Sequence, residues 1–177
     1  MVFFQGISKQ PPRDLNSLLI EIRVPEDIEK SAWAKIFRDH LATHQPEKEV
    51  MFDFVIVCNV LKIKETEVKQ IARGMKWRQE QLNKDRRDLL QMIGTSFFSS
   101  NCDTPIPLDN QVLREEICQK ISQINSISDE DLSELFELVW KARCDYKVWK
   151  GGLEAAYQNF IASKPNPPLT AVLLSIL

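Results

Sequence analysis

Apolar residues recur along this chain at the three- and four-residue intervals of amphipathic helices, and no strand-like alternation competes with them. The first stripe predicts a helix over about 28–43, and its members are Ala32, Trp33, Ile36, Phe37, His40 and Leu41. Pro46 then indicates a break and a new helix start, because proline is tolerated in the first turn of a helix. Further helical segments are predicted along the chain, and the pattern predicts the all-α class.

The most hydrophobic segment runs from about Glu47 to Ile63, and its apolar residues are almost continuous between Val50 and Leu61. The length of the segment favours a helix that is buried on nearly all sides, as the central post of a bundle. Its β-branched content leaves a buried strand as the alternative.

A long amphipathic region is predicted from Thr66 to Ser99, where Gly74 and Asn83 are expected to divide or bend it. Its apolar face consists of Val68, Ile71, Ala72, Met75, Leu82, Leu89, Ile93 and Phe97. A polar stretch with two prolines over 100–107 predicts the loop that follows.

Two helix starts are predicted from capping residues. Asp109 or Asn110 is expected to cap a helix that continues to Ile121. Ser128 is expected to cap the next helix, with Asp131 in place of the usual glutamate of a capping box.

A last helix is predicted over 146–162, with Gly151 and Gly152 as the position of a kink. Prolines then end regular structure, and the apolar stretch 169–177 is about half as long as a membrane span. The chain is therefore divided into an N-terminal segment (1–25), one helical domain (26–163) and a C-terminal tail (164–177).

Positive charge is concentrated between Lys69 and Arg87, where seven basic residues face two acidic ones in a chain of net charge −2. This basic run has three interpretations, which are the solvated face of a long helix, a docking surface for an acidic protein patch, and a phosphate-binding surface. Trp77 lies within it and would act as an interface anchor if it is exposed, or would stack on a base. Trp33 and Trp140 are expected in the core, and Trp149 is not assigned.

Catalytic and metal-binding patterns are missing from the sequence. His40 and His44 are four residues apart, but Leu41 follows His40 where an HExxH motif has glutamate. The four cysteines form no CxxC pair, and Cys58 is expected to be a buried, inert thiol. The glycines form no phosphate-binding loop. The sequence predicts a non-enzymatic cytoplasmic protein without a metal, cofactor, small-molecule substrate or membrane span.

Five stretches in order, together spanning roughly Ala32 to Phe160, resemble the regulator-of-G-protein-signalling (RGS) homology domain. They are Ala34–Leu41, Phe54–Lys62, Ile93–Phe98, Ile106–Asp109 with Arg114-Glu115 after it, and Asp145–Trp149. The resemblance implies an orthogonal bundle of about eight or nine helices.

Members of that family with GTPase-activating activity hold the switch loops of a Gα subunit with side chains from interhelical loops. Asp109 and Arg114 match that pattern. At two positions where activating members have asparagine, this chain has Met51 (or Val50) and Pro107. At a position where they have arginine, it has Val148. These losses make Gα activation an alternative rather than the first expectation.

The Ala34–Leu41 stretch and Cys58-Asn59 are most similar to the non-activating branch typified by the axin scaffold proteins. That likeness implies binding of a peptide of the adenomatous polyposis coli protein in the regulation of β-catenin. Sorting nexins and kinase-anchoring proteins are other relatives of this kind. A Gα subunit is the alternative partner, and nucleic acid is a second alternative. The predicted partner-binding residues are Lys76, Trp77, Arg78, Arg86, Arg87, Asp109 and Arg114.

Overall fold

The structure is a computed structural model that describes residues 10–20, 22–71 and 73–167. In these ranges the chain forms seven α-helices and no strand, which confirms the all-α class. The helices are α1 (Leu15–Leu19), α2 (Ala32–His44), α3 (Pro46–Gln70), α4 (Lys76–Ile93), α5 (Gln111–Ser122), α6 (Asp129–Arg143) and α7 (Ala155–Ala162). A 3-10 helix (Pro25–Glu29) and two π-helical segments (Gly94–Phe98 and Trp149–Glu154) complete the regular structure. None of the helices in the described part of the chain is long and apolar enough to cross a bilayer.

The segment predicted as a central post is a helix, so the strand alternative is wrong. Pro46 occupies the first turn of α3, and the helix packs against α2, α4 and α6. Its buried apolar side chains are Met51, Phe52, Phe54, Val55, Ile56, Val57, Cys58, Val60 and Leu61. The helix continues beyond the predicted end at Ile63 to Gln70, and in this extension the carboxylate of Glu65 pairs with Arg86 of α4 inside the protein.

The helix predicted over 28–43 is two elements. The Asp27 carboxylate accepts hydrogen bonds from the backbone N–H groups of Arg23 and Val24, which stabilises the 3-10 turn. Ser31 then precedes α2 in an extended conformation. The Phe37 ring of α2 lies edge-on to Tyr157, with 5.0 Å between the ring centroids.

The predicted region 66–99 is divided near Gly74, as expected, because α3 ends at Gln70 and α4 begins at Lys76. Asn83 does not divide the region, because it lies within the continuous helix α4, where it is buried and accepts a hydrogen bond from Arg86. After α4 the backbone widens into the first π-helical segment, where the Ser99 N–H donates to the Gly94 carbonyl at 2.8 Å.

Both predicted caps are present. The Asn110 side chain accepts from the Leu113 N–H at 3.0 Å and begins α5. Ser128 and Asp131 cap α6 reciprocally, because each side chain accepts from the other's backbone N–H. These local hydrogen bonds satisfy donors that the first turn of a helix leaves without partners.

The predicted last helix contains the second π-helical segment at the paired glycines. The Leu153 N–H donates to the Val148 carbonyl five residues earlier, at 3.0 Å. A β-carbon at Gly152 would lie 2.2 Å from the Lys147 carbonyl oxygen, so glycine permits this close approach. The α-helical part, α7, begins only at Ala155.

Residues 15–19 of the predicted N-terminal segment belong to the same packed unit as the predicted domain. Leu15, Leu18 and Leu19 of α1 are buried in the common core, so that core begins before residue 26. The Tyr157 hydroxyl of α7 donates to the Pro12 carbonyl at 2.6 Å, which joins the two ends of the packed unit. The apolar tail 169–177 lies outside the described residues.

Candidate protein-interaction surface

Arg86 is not on the surface, which corrects its placement among the partner-binding residues. Its side chain is 1% exposed, and Nε donates to Glu65 Oε1 at 2.7 Å. The rest of the guanidinium donates to Asn83 Oδ1 and to Ser133 Oγ of α6. Arg86 therefore joins α3, α4 and α6 inside the bundle.

Arg87 and Arg78 are partly buried and already have partners. Arg87 donates to the backbone carbonyls of Ile124 and Ile127 and pairs with Asp129, so it holds the α5–α6 connection against α4. Arg78 pairs with Glu67 of α3 at 3.0 Å. Both arginines contribute charge to the surface; Arg87 uses most of its hydrogen-bonding capacity within the domain, whereas Arg78 makes one hydrogen bond, to Glu67.

One exposed part of the basic run lies where α3 ends and α4 begins, and we call it the α3–α4 tip; Lys84, which is also exposed, lies further along α4. The tip consists of Lys69, Arg73, Met75, Lys76 and Trp77. The exposed fraction is 75% for Trp77 and 56% for Met75. Within the described ranges, no acidic side chain lies within 4 Å of the three basic residues. The tip therefore combines a large exposed apolar surface with three unneutralised cations.

Asp109 and Arg114 belong to a different surface, which we call the Asp109 corner. Asp109 forms an exposed ion pair with Lys147, and this hydrogen bond raises the pKa of Lys147. Arg114 donates to the Ile106 carbonyl, and its guanidinium lies 5.6 Å from the centre of the Phe98 ring. Arg114 therefore fixes the loop before α5 and forms part of the wall of a groove of about 970 Å³.

The predicted binding residues thus form two surfaces rather than one. The tip is at the N-terminal end of α4, whereas Arg114 contacts Phe98 just beyond its C-terminal end. A helix of 18 residues is about 27 Å long, so one small epitope does not cover both. Tyr146, which is 67% exposed, lies next to Lys147 and gives the Asp109 corner its own exposed aromatic residue.

The remaining tryptophans are in or against the core. Trp33 is buried as predicted, and Trp140 and Trp149 are partly buried against the core. Sequence reasoning missed Met75 as a surface residue, because its spacing placed it on the apolar face of the predicted helix. In the structure Met75 precedes α4, so that face does not include it.

His40 and His44 stack with 4.4 Å between their ring centroids, and His40 also contacts Phe160. Burial and the neighbouring His44 lower the pKa of His40. No group of three potential metal ligands occurs in residues 10–20, 22–71 and 73–167. Cys58 is completely buried, as predicted, and burial raises the pKa of its thiol, so it is held in the unreactive thiol form.

No family model matches this chain, and comparison with curated proteins and with solved structures gives no significant match.

Proposed function

We propose that this chain is a non-catalytic interaction domain that binds an acidic segment of another protein at the α3–α4 tip. The observation that carries the proposal is the 75% exposure of Trp77. Tryptophan is enriched among the few residues that dominate the binding energy of protein interfaces, and an exposed one leaves a large apolar area in water.

The charges around Trp77 support an acidic partner. Lys69, Arg73 and Lys76 have no acidic neighbour in the described part of the chain, so a partner's carboxylates would meet free cations. Complementary charge of this kind speeds association and excludes partners of the wrong sign. Arg78, the residue after Trp77, pairs with Glu67 of α3 and so links the first turn of α4 to α3.

The resemblance to the RGS homology domain, and to its axin branch, suggests which partners to test first. The first is a peptide of the adenomatous polyposis coli protein, bound by a cytoplasmic scaffold of the Wnt pathway. The second is a Gα subunit, for which the exposed Asp109 corner with Tyr146 is the relevant surface. By the resemblance, Pro107 and the buried Val148 occupy positions where activating members have polar side chains, which favours the first partner over the second.

Two matched variants separate these proposals. Trp77→Ala removes the aromatic residue of the tip, and Tyr146→Ala removes that of the Asp109 corner. Binding to the peptide, measured by fluorescence anisotropy, is expected to weaken by about 2 kcal/mol, or about 30-fold, in Trp77→Ala and to be unchanged in Tyr146→Ala. If the peptide does not bind, retention of proteins from cytosol by the wild-type and variant chains provides the same comparison.

Gα activation is tested by single-turnover GTP hydrolysis with and without the chain, and we expect no acceleration. Acceleration that Tyr146→Ala abolishes and Trp77→Ala leaves intact would replace the proposed function with GTPase activation. Nucleic-acid binding at the tip would instead show a steep loss of affinity with salt, because phosphate contacts release counterions.

A further inference from the structure

Arg143, at the C-terminal end of α6, is a buried cation held between two aromatic rings. Its side chain is 7% exposed, and its guanidinium carbon lies 4.6 Å from the Trp140 ring centre and 4.3 Å from the Trp149 ring centre. Its Nε donates to Asn59 Oδ1 of α3 at 3.1 Å. These contacts fix the plane and position of the guanidinium.

The domain contains a second buried arginine, Arg86, which has an anionic partner that Arg143 does not have within the described residues. Arg86 is neutralised by the Glu65 carboxylate. In residues 10–20, 22–71 and 73–167, no carboxylate lies within 4 Å of Arg143. Arginine is seldom buried without an anionic partner, because removing a charge from water costs several kcal/mol. Cys58 does not supply that anion, since burial keeps its thiol protonated.

Arg143 faces a groove of about 630 Å³ between α3, α6 and the N-terminal segment. A second cation is present there, because Lys62 Nζ lies 4.5 Å from the centre of the same Trp140 ring. The only acidic residue that lines the groove within the described part of the chain is Glu67, and it is already paired with Arg78. The described residues that line the groove therefore give it a net positive charge at its Trp140 end.

The rest of the groove is suited to a polypeptide. Asn59, Lys62, Ile63, Thr66, Glu67 and Gln70 form one face of α3 at helical spacing. This face extends over about 16 Å, which is the length of about five extended residues. Ile20 lies on the opposite side and is 79% exposed, so it offers apolar contact area next to the two cations.

We infer that this groove is a second binding site, which takes an acidic protein segment with one carboxylate side chain between Arg143 and Lys62. Apolar neighbours of that carboxylate pack on Ile20 and Ile63. The carboxylate neutralises Arg143 in a partly desolvated position, where a charge-assisted hydrogen bond is strong. The inference rests on the proposed function in that the ligand is a protein, but it concerns a different surface from the α3–α4 tip.

Selection of random twelve-residue peptides displayed on phage tests this site directly and does not require an identified partner. The selected peptides are expected to share an Asp or Glu next to apolar residues. Affinities of the synthetic peptides are then measured by fluorescence anisotropy for Lys62→Glu, for Arg143→Gln and for Lys141→Glu. Lys141 is exposed on α6 and does not line the groove, so it is the matched control.

Lys62→Glu is expected to weaken binding about tenfold or more, Arg143→Gln about 30-fold or more, and Lys141→Glu to leave it unchanged. Replacing the shared acidic residue of the peptide by its amide should have a similar effect. Urea denaturation establishes that each variant is folded; if Arg143→Gln is not, exposed Lys62 decides the result. Selection of peptides without an acidic residue, equal binding by Lys62→Glu, or no selected peptide overturns the inference.

Trp77→Ala distinguishes the two binding sites. Peptides that lose affinity for the Lys62→Glu variant and keep it for Trp77→Ala support the groove. The α3–α4 tip is then tested separately, by the peptide-binding experiment described for the proposed function. Peptides with the opposite behaviour support the tip and overturn the groove.

Discussion

The Arg86 guanidinium and the Glu65 carboxylate form an ion pair from which solvent is almost completely excluded, with 1% and 2% of the side chains exposed. Ser133 joins the pair, since its hydroxyl accepts from Arg86 and donates to Glu65. Three helices are thereby connected by one polar network whose buried atoms all have partners within the described residues. Such a network is costly to interrupt, because the group that remains is a buried charge without compensation.

Replacing either partner is therefore expected to destabilise the fold. Arg86→Met or Glu65→Gln should lower the free energy of unfolding by about 3–5 kcal/mol in urea denaturation. Arg78→Gln breaks the half-exposed pair with Glu67 and should cost less than about 1 kcal/mol. Equal effects at the two sites would mean that burial of the Arg86 pair has little energetic consequence.

Two glycines provide a second matched comparison. A β-carbon at Gly94 would lie 2.5 Å from Ile121 Cγ2, where α5 packs against the first π-helical segment. Gly94→Ala is expected to lower the free energy of unfolding by about 1–3 kcal/mol, because the buried isoleucine must move. A β-carbon at Gly74 would meet no atom within 4 Å, and Gly74→Ala is expected to stabilise by about 0.4–1 kcal/mol. Thermal denaturation of both variants measures this difference, and a neutral Gly94→Ala would contradict the close packing.

His40 is expected to make stability fall in mildly acidic solution. Burial and His44 lower the pKa of His40 from 6.5, so the unfolded chain binds a proton more readily than the folded one. The free energy of unfolding should decrease as the pH falls below 6.5, and the His40 contribution should be fully present above that pH. Urea denaturation at several pH values, with His40→Gln as the control, isolates this contribution from that of the carboxylates. An equal or steeper pH dependence in His40→Gln would contradict the assignment.

Local signals in the sequence predicted much of the fold. The almost continuous apolar run from Val50 to Leu61 is too long for an ordinary strand, and its length favours a helix, which is α3. Asn110 and Ser128 mark helix starts through hydrogen bonds to residues three positions away, so sequence alone is sufficient to predict them. The π-helical segments were not predicted, because a hydrogen bond that spans five residues has no distinct hydrophobic period.

The candidate surface was predicted less well, because exposure depends on the direction in which each residue of a helix points. Arg86 was grouped with its basic neighbours, but it lies four residues from both Leu82 and Leu90 on the buried face of α4. That spacing was the available signal for its burial. Its partner Glu65 lies 21 positions away on another helix, and no local pattern connects them. Arg143 was missed for the same reason, since Asn59 is 84 positions away.

The hydrogen bond between Tyr157 and Pro12 has a consequence for biosynthesis. Its two residues are 145 positions apart, so this contact cannot form until α7 has been synthesised. During translation the backbone at Pro12 therefore lacks its hydrogen bond to α7. We expect a nascent chain arrested before Tyr157 to be less ordered around Pro12 than a chain arrested after α7 has left the ribosome.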